Sequence, residues 1–570
     1  MPQGVQTPWG LRKPGGETAL DAGSAPGVAN VPNVPAADGV QTPWGLQRPD
    51  GGPVPDWTPP PVEPKPPVAP DDVVGSAPAE PAVRDAGPGR AGATAVTGDE
   101  GRPEQAGAVD ARTKKGRKLI SLVSAGLVLL FGLVFLVVVK PGPVAKVLGG
   151  TATVTSTVTA DPTPTAVLAA ATAIGTAPDA AKVKAALDPL VRSAALGTEV
   201  HVSVVDAATS TALYAQLADV PATPASTTKL LTAATALAAR GPAYRISTTA
   251  VAGSASGEVV LVGGGDPTLS VNAKALFPGA ARLDELATQV KKALGGVKPT
   301  KVTVDTSLFS GPETATGWAS DDISLGQVSR IQPLMTNGGR IKPVDNEHGG
   351  DPRYPDPAIA TGQSFAKLLG VPTATVKRGK APAGAAALGE VQSPPLQQIT
   401  DWMLSESDNT LAEVVARQVA LAAGRPGSFA GATDAIIAKL KEWGLPGDEA
   451  DLYDGSGLSR HNGISPALLT GLLTLAASGS QPALGGIFSG LPVAGWSGTL
   501  DNRFATPEAN RVARGVVRAK TGTLSGVNTM AGLLTTADGR LLVFAIMASG
   551  ATSAKAALDK VPARLVTCGC

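Results

Sequence analysis

Cysteine is nearly absent: Cys568 and Cys570 are the two in 570 residues, separated by one glycine at the C terminus. That excludes a disulfide framework and any zinc site built from four cysteines, and it leaves open whether the two pair with each other. Histidine is scarce as well. His201, His348 and His461 are too scattered for a helical zinc motif and read as ordinary surface or loop residues. Serine–histidine catalysis is therefore weakly supported, and another activating base has to be sought. Net charge is missing too, with 48 Lys and Arg against 47 Asp and Glu, so no basic field is present to hold nucleic acid. Aromatic residues make up 4% of the chain against 68 glycines and 50 prolines, and part of such a chain cannot bury a core.

The core-poor part is the N-terminal segment 1–118, which holds 21 of the prolines and neither Phe nor Tyr. It reads as a disordered tail. Within it Gly4-Val-Gln-Thr-Pro-Trp-Gly-Leu11 recurs as Gly39-Val-Gln-Thr-Pro-Trp-Gly-Leu46. The repeat is either duplicated linker or a pair of short motifs in which Trp9 and Trp44 anchor a cytoplasmic partner. Residues 119–139 then run for 21 positions without a charge, long enough for a helix to cross a bilayer of about 30 Å. Arg112, Lys114, Lys115, Arg117 and Lys118 precede the run. That bias predicts a single-pass anchor in the cell membrane, with the N terminus cytoplasmic and everything after Lys140 outside. A cleaved signal peptide fits less well behind so long a leader.

Residues 140–178 read as a Thr/Ala/Pro-rich stalk and 179–570 as the folded body. Val183, Leu187, Leu190 and Val191 follow helical spacing, and Val200, Val202 and Val204 then alternate toward a turn at Asp206–Thr211. At the far end, 529–536 and 540–549 read as strands around Ala537-Asp538-Gly539, ahead of a final helix near 551–566. Terminal helices and hairpins of this kind can share one antiparallel sheet. Between about 260 and 382, strand-like, helical and turn-rich stretches predict one or two small inserted domains. Gly263-Gly-Gly-Asp266 lacks the following Gly-Lys-Ser/Thr of a phosphate loop and reads as a tight turn.

Chemistry concentrates at three points. Pro224-Ala-Ser-Thr-Thr-Lys-Leu-Leu opens an Ala/Leu-rich helix, which puts Lys229 one turn from Ser226, where a neutral amine can take the hydroxyl proton. Ser-x-x-Lys alone is weak, since Ser364-Phe-Ala-Lys367 matches too, and Ser270-Val-Asn272 is a decoy for the next motif. The ordered company decides: Ser407-Asp408-Asn409 downstream, then Lys520-Thr521-Gly522-Thr523, whose Lys-Thr-Gly occurs once.

This trio resembles that of the active-site serine penicillin-recognising enzymes. With the flanking text Thr223-Pro-Ala-Ser-Thr-Thr-Lys-Leu-Leu231, Gly263-Gly-Gly-Asp-Pro-Thr-Leu269, Ser405-Glu-Ser-Asp-Asn-Thr-Leu-Ala-Glu413, Asp454-Gly-Ser-Gly-Leu-Ser-Arg460 and Ala519-Lys-Thr-Gly-Thr-Leu524, it is similar to the D-alanyl-D-alanine carboxypeptidase/endopeptidase family, the low-molecular-mass class C penicillin-binding proteins of actinobacterial type. The resemblance covers about residues 180–570. It implies an α/β transpeptidase fold of penicillin-binding-protein/β-lactamase type, an antiparallel sheet flanked by helices plus an α lobe, with the insertion after the nucleophile's helix.

The same resemblance implies that Ser226 attacks the bond between two D-alanines of peptidoglycan stem peptides, with Lys229 as base and Ser407 as proton relay. Asn409 would hold the substrate's amide, Lys520 would keep the site electropositive, and Thr521, Gly522 and Thr523 would line the binding strand. The backbone N–H groups of Ser226 and Thr523 would form the oxyanion hole. β-Lactams would be inhibitors, and neither cofactor nor metal is implied. Asp454–Arg460 reads as active-site wall. Two competing readings remain at this stage: a β-lactamase, for which no deacylating glutamate can be placed, and a catalytically silent scaffold or β-lactam sensor.

Overall fold

The computed structural model describes residues 175–344 and 350–570. The Trp-bearing repeats, the apolar run at 119–139 and nearly all of the stalk lie outside the described residues, as does His348. Among the described residues no helix is long and apolar enough to cross a membrane.

The body opens with α1 (Ala180–Val191), whose N terminus is capped by the Asp179 carboxylate accepting from Lys182 N. The hairpin of β1 (Glu199–Asp206) and β2 (Thr211–Gln216) leads to α2 (Lys229–Arg240). Then come β3 (Ser247–Ala252), β4 (Glu258–Val262), α3 (Leu283–Ala293) and β5 (Lys301–Asp305). They are followed by α4 (Pro357–Leu369), β6 (Lys377–Arg378) and β7 (Ala387–Gln392). The helices α5 (Leu396–Ser405), α6 (Asn409–Ala422) and α7 (Phe429–Glu442) precede a short ladder of β8 (Ala450–Asp451) and β9 (Gly463–Ile464). Last are α8 (Pro466–Ala477), the strands β10 (Arg518–Leu524), β11 (Val527–Thr535) and β12 (Leu541–Ser549), and α9 (Lys555–Val566).

The first and last strands of the body meet in one sheet of order β10-β11-β12-β1-β2, antiparallel throughout. Its centre is covered on both faces, so β12 reads as a continuous apolar run instead of an alternation. Leu542, Phe544 and Ile546 face α1 and α9, whereas Val543, Ala545 and Met547 face the helical lobe built from α2, α5, α6, α7 and α8. Register places Val202 opposite Ile546 and Val204 opposite Phe544, which sends Val200, Val202 and Val204 to the α1/α9 side. The same alternation turns His201 and Ser203 to the opposite face. Ser203 Oγ meets Thr470 Oγ1 of α8 at 2.8 Å.

His201 is accordingly not the surface residue expected. It is buried, with Nε2 2.9 Å from Glu199 Oε1 and Nδ1 3.1 Å from the Val220 carbonyl, so it ties the segment after β2 back to the sheet. His461 is exposed and lies edge-on to Tyr453. Cys568 and Cys570 pair as a disulfide, and the Cys570 carbonyl accepts from Asp179 N at 2.9 Å, closing the C terminus onto the start of α1.

The inserted region forms a second sheet of order β6-β5-β4-β3-β7, with α3 and α4 packed on it through Leu283, Leu286, Phe365 and Leu369. It takes in strands on either side of the 260–382 stretch, because β3 pairs with both β4 and β7 on the way in and the way out. The decoy Ser364 lies on α4 and donates to the Ala360 carbonyl at 3.0 Å, while Ser270 donates to the Asn272 carbonyl at 2.7 Å. Both are spent on local backbone.

A buried ion pair fastens the main sheet: Arg540 Nη2 lies 2.7 Å from Asp206 Oδ2, joining the start of β12 to the end of β1. Arg540→Met leaves the carboxylate buried without its partner, which costs about 3–5 kcal/mol. Urea unfolding of the variant is expected to show that loss as a lowered midpoint with an unchanged slope.

Candidate active site

Ser226 sits in a single 3-10 turn, Ala225–Thr228, that runs directly into α2. Ala225 before it has φ +47°, the left-handed region that side chains rarely occupy. Neighbouring segments hold this strained turn from two sides. On one side β11 supplies Thr529, whose hydroxyl donates to the Pro224 carbonyl at 2.8 Å. Next to it Gly522 of β10 is so close that a Cβ there would lie 2.8 Å from Ser226 N and 2.9 Å from Ala225 Cβ. On the other side Gly457, at φ +83°, lies against the Ala225 carbonyl in backbone-to-backbone contact that a Cβ would block.

Lys229, fully buried one turn on, has three partners: Ser226 Oγ at 2.9 Å, Asn409 Oδ1 at 2.6 Å and the Ser456 carbonyl at 2.7 Å. The last two are acceptors only, so they take N–H groups. In the neutral amine both N–H bonds are thereby committed and the lone pair is left for the Ser226 hydroxyl. Burial pushes the Lys229 ammonium down to about 8, against the opposing pull of Asp454, Glu413 and Asp408. The site thus holds an amine that is substantially neutral at mildly alkaline pH.

Asn409 opens α6. Its Nδ2 donates to the Gln327 carbonyl of the inserted region at 3.0 Å, which turns Oδ1 toward Lys229. Both ends of the amide are thus engaged by protein, where the resemblance implies a grip on substrate. Asp408, the N-cap of α6, accepts from Leu411 N at 2.9 Å and from Arg340 Nη2 at 2.9 Å. Burial raises the Asp408 carboxyl, but Arg340 and Arg353 more than offset it and leave it below the usual range. This anchored cap holds Ser407 at φ +59°, a second left-handed residue without the freedom of glycine.

Lys520 is buried beneath β10 and donates to the Thr521 carbonyl at 2.8 Å. Burial, and then the neighbouring Lys229, push its ammonium well down from the ordinary lysine value, with Glu406 opposing. The Thr521 hydroxyl shares a 2.7 Å hydrogen bond with Thr499, a residue with no motif around it in the sequence. Ser226, Ser407, Asn409, Thr521 and Thr523 open together onto one cleft of about 470 Å³, with Gln327, Arg340 and Arg353 of the inserted region on its far wall. Lys229 and Lys520 lie under its floor.

Asp454 organises the remaining side. It accepts from Trp318 Nε1 at 2.8 Å, Gly457 N at 2.8 Å, Ser459 N at 2.6 Å and Asn462 Nδ2 at 2.7 Å. The Asp454–Arg460 turn therefore reaches beyond the wall, because its Ser456 carbonyl touches Lys229 itself. The sequence carried the text of this turn without its role, and it carried no signal for Gln327 or Trp318.

Residues 183–356 and 351–566 match the D-Ala-D-Ala carboxypeptidase 3 (S13) family. The chain belongs to that family. It is 42% identical over 399 residues to a carboxypeptidase of Mycobacterium tuberculosis, covering 69% of this chain and 85% of that protein. It is 41% identical to carboxypeptidase DacB of Mycolicibacterium smegmatis, over 64% of this chain and 80% of that one. In fold it is similar to penicillin binding protein 4 (dacB) of Haemophilus influenzae, at a TM-score of 0.54 and 22% identity over 67% of this chain and 98% of that one. This S13 protein is thus a D-Ala-D-Ala carboxypeptidase, a serine hydrolase on the penicillin-binding-protein fold.

Gly457→Ala places a side chain at positive φ against the Ala225 carbonyl. The expected cost is about 2–3 kcal/mol of stability with at least a tenfold loss of penicillin labelling, read by thermal melting and by gel fluorescence with a labelled penicillin.

Proposed function

We propose that this carboxypeptidase works outside the membrane, held there by the 119–139 segment, and cleaves peptidoglycan stem peptides through an acyl-enzyme on Ser226. The observation that carries the reading is the amine of Lys229, aimed at Ser226 Oγ at 2.9 Å while its other two contacts accept N–H. As Oγ attacks the carbonyl between the two D-alanines, Lys229 takes the hydroxyl proton. The oxyanion of the tetrahedral intermediate accepts from the backbone N–H groups of Ser226 and Thr523. Lys229 returns the proton by way of Ser407 to the leaving amine, D-alanine departs, and the acyl group stays on Oγ. Water then attacks the ester, its proton passes to Oγ, and Ser226 is restored.

The terminal carboxylate is gripped by the hydroxyls of Thr521 and Thr523 above Lys520. An anion there favours the ammonium form of Lys520, which burial otherwise disfavours. β-Lactams present a carboxylate beside a strained amide and acylate the same serine. Endopeptidase action on cross-links, in which the leaving amine carries a second stem peptide, belongs to the same chemistry. The cytoplasmic tail, with Trp9 and Trp44 in its repeats, is free to engage a partner on the other side of the membrane.

Exposing the detergent-solubilised full chain to a penicillin and mapping the adduct by mass spectrometry tests this reading. A stable adduct on the Ser226 peptide is expected, and none in Ser226→Ala. Rapid drug turnover would point to a β-lactamase, and a well-folded protein without adduct to a silent scaffold. Because the amine must be neutral to accept the proton, the second-order acylation rate constant, which reports the free enzyme, is expected to fall about tenfold per pH unit below about 8 and to level off above it, as stopped-flow measurement at sub-saturating penicillin across roughly pH 6 to 10 would show.

A further inference from the structure

Glu413 stands in the first turn but one of α6, fully buried, and has no part in the mechanism above. Its carboxylate does not spend itself on a cation. Oε1 accepts from Ser456 N at 2.8 Å and Gly455 N at 3.1 Å, and Oε2 from Gly455 N at 3.2 Å. The carbonyls of the same two residues face α2: that of Ser456 accepts from Lys229 Nζ at 2.7 Å, and that of Gly455 from Thr232 Oγ1 at 2.6 Å. Glu413 therefore stands behind the peptide segment whose Ser456 carbonyl is the amine's second acceptor, one helical turn from Asn409, which supplies the other.

Arg417, one turn along, is the obvious ordinary partner, and the geometry argues against that explanation. Its Nη1 reaches Glu413 Oε2 at only 3.8 Å and donates instead to the Glu413 main-chain carbonyl at 3.1 Å. Its guanidinium lies 4.0 Å from the ring centroid of Phe429 and 5.4 Å from that of Phe309, so two aromatic faces carry much of its charge.

We propose that Glu413 is a positioning residue for Lys229: it fixes the Gly455–Ser456 segment that holds the amine against Ser226, and it sets a buried carboxylate directly behind that segment. The inference rests on Lys229 acting as the base. The charged groups around the pair are Lys229 on α2, Asp454 in the facing turn, Arg417 on α6, Asp408 with its partner Arg340 at the start of α6, and Lys520 on β10. Burial and Asp454 push the Glu413 carboxyl up to about 7, with Arg417 and the two backbone N–H groups opposing. Asp454, Glu413 and Asp408 in turn hold the Lys229 ammonium up against its own burial.

Position and charge separate experimentally. Glu413→Gln keeps an acceptor for Ser456 N and removes the charge; Glu413→Asp keeps the charge and withdraws it by one methylene from the turn. In full-length protein, the pH profile of the second-order penicillin acylation rate constant is measured for the parent and both variants. Glu413→Gln is expected to move the acid limb to lower pH by about one unit. Glu413→Asp is expected to leave the limb in place and lower the plateau about tenfold. Should Glu413→Gln fold poorly with Arg417 left unbalanced, Glu413→Gln combined with Arg417→Met restores neutrality and is expected to show the same limb shift. A limb in the charge-removing variants that coincides with the parent's, or a Glu413→Asp plateau equal to the parent's, overturns the inference. A parental profile flat in pH overturns the reading of Lys229 as base, and this inference with it, so the two failures are told apart.

Discussion

Everything in the cleft depends on burying one lysine without giving it a carboxylate to bond. An ammonium taken out of water is held in place by a counter-ion or loses its proton. Here the nearest acidic groups, Asp454, Glu413 and Asp408, act on Lys229 without hydrogen-bonding to it, while two neutral oxygens from Asn409 and Ser456 receive its N–H bonds. That balance leaves the group near its switching point instead of locked in either state. A direct Lys–Asp contact in the same place would hold the ammonium and remove the lone pair on which the proposed chemistry turns.

Keeping that balance takes parts from distant stretches of the chain. Asn409 is turned the right way because Gln327 takes its Nδ2, and Asp408 stays ionised because Arg340 takes its Oδ2, so two residues of the inserted region orient the start of α6. The 454–460 turn is held by Asp454, which is itself fastened to the inserted region through Trp318. The insertion therefore does more than widen a groove. It braces the base from both flanks: changes at Arg340 or Trp318 reach Lys229 through the carboxylates of Asp408 and Asp454, and a shift of the Gln327 main chain reaches it through Asn409.

How much of this was legible in the sequence follows from how local each feature is. Ser226 and Lys229 were readable because a helical turn alone brings positions three apart together, and Lys520 to Thr523 because a strand alone presents alternate residues to one side. The terminal hairpins sharing one sheet were readable from alternation and from the turn at Ala537-Asp538-Gly539. His201 was misread because a histidine among alternating valines gives no sign of which carbonyls it will meet. Gln327 and Trp318 carry no motif, and their contacts exist only once the second sheet docks. Left-handed Ala225 and Ser407 were illegible for a different reason: sequence signals positive φ through glycine, and here tertiary contacts enforce it on residues that disfavour it.

The second buried lysine completes the electrostatic argument. Lys229 makes the charge of Lys520 less favourable, and burial works against both. A carboxylate arriving at Thr521 and Thr523 favours the ammonium of Lys520. On the proposed mechanism that charge on Lys520 opposes a proton on Lys229 while the anion itself favours one, so the binding of an anionic terminus and the state of the base are coupled. A peptide whose C terminus is amidated offers no such charge. Discrimination against it then lies in the loss of a counter-charge for the buried ammonium of Lys520.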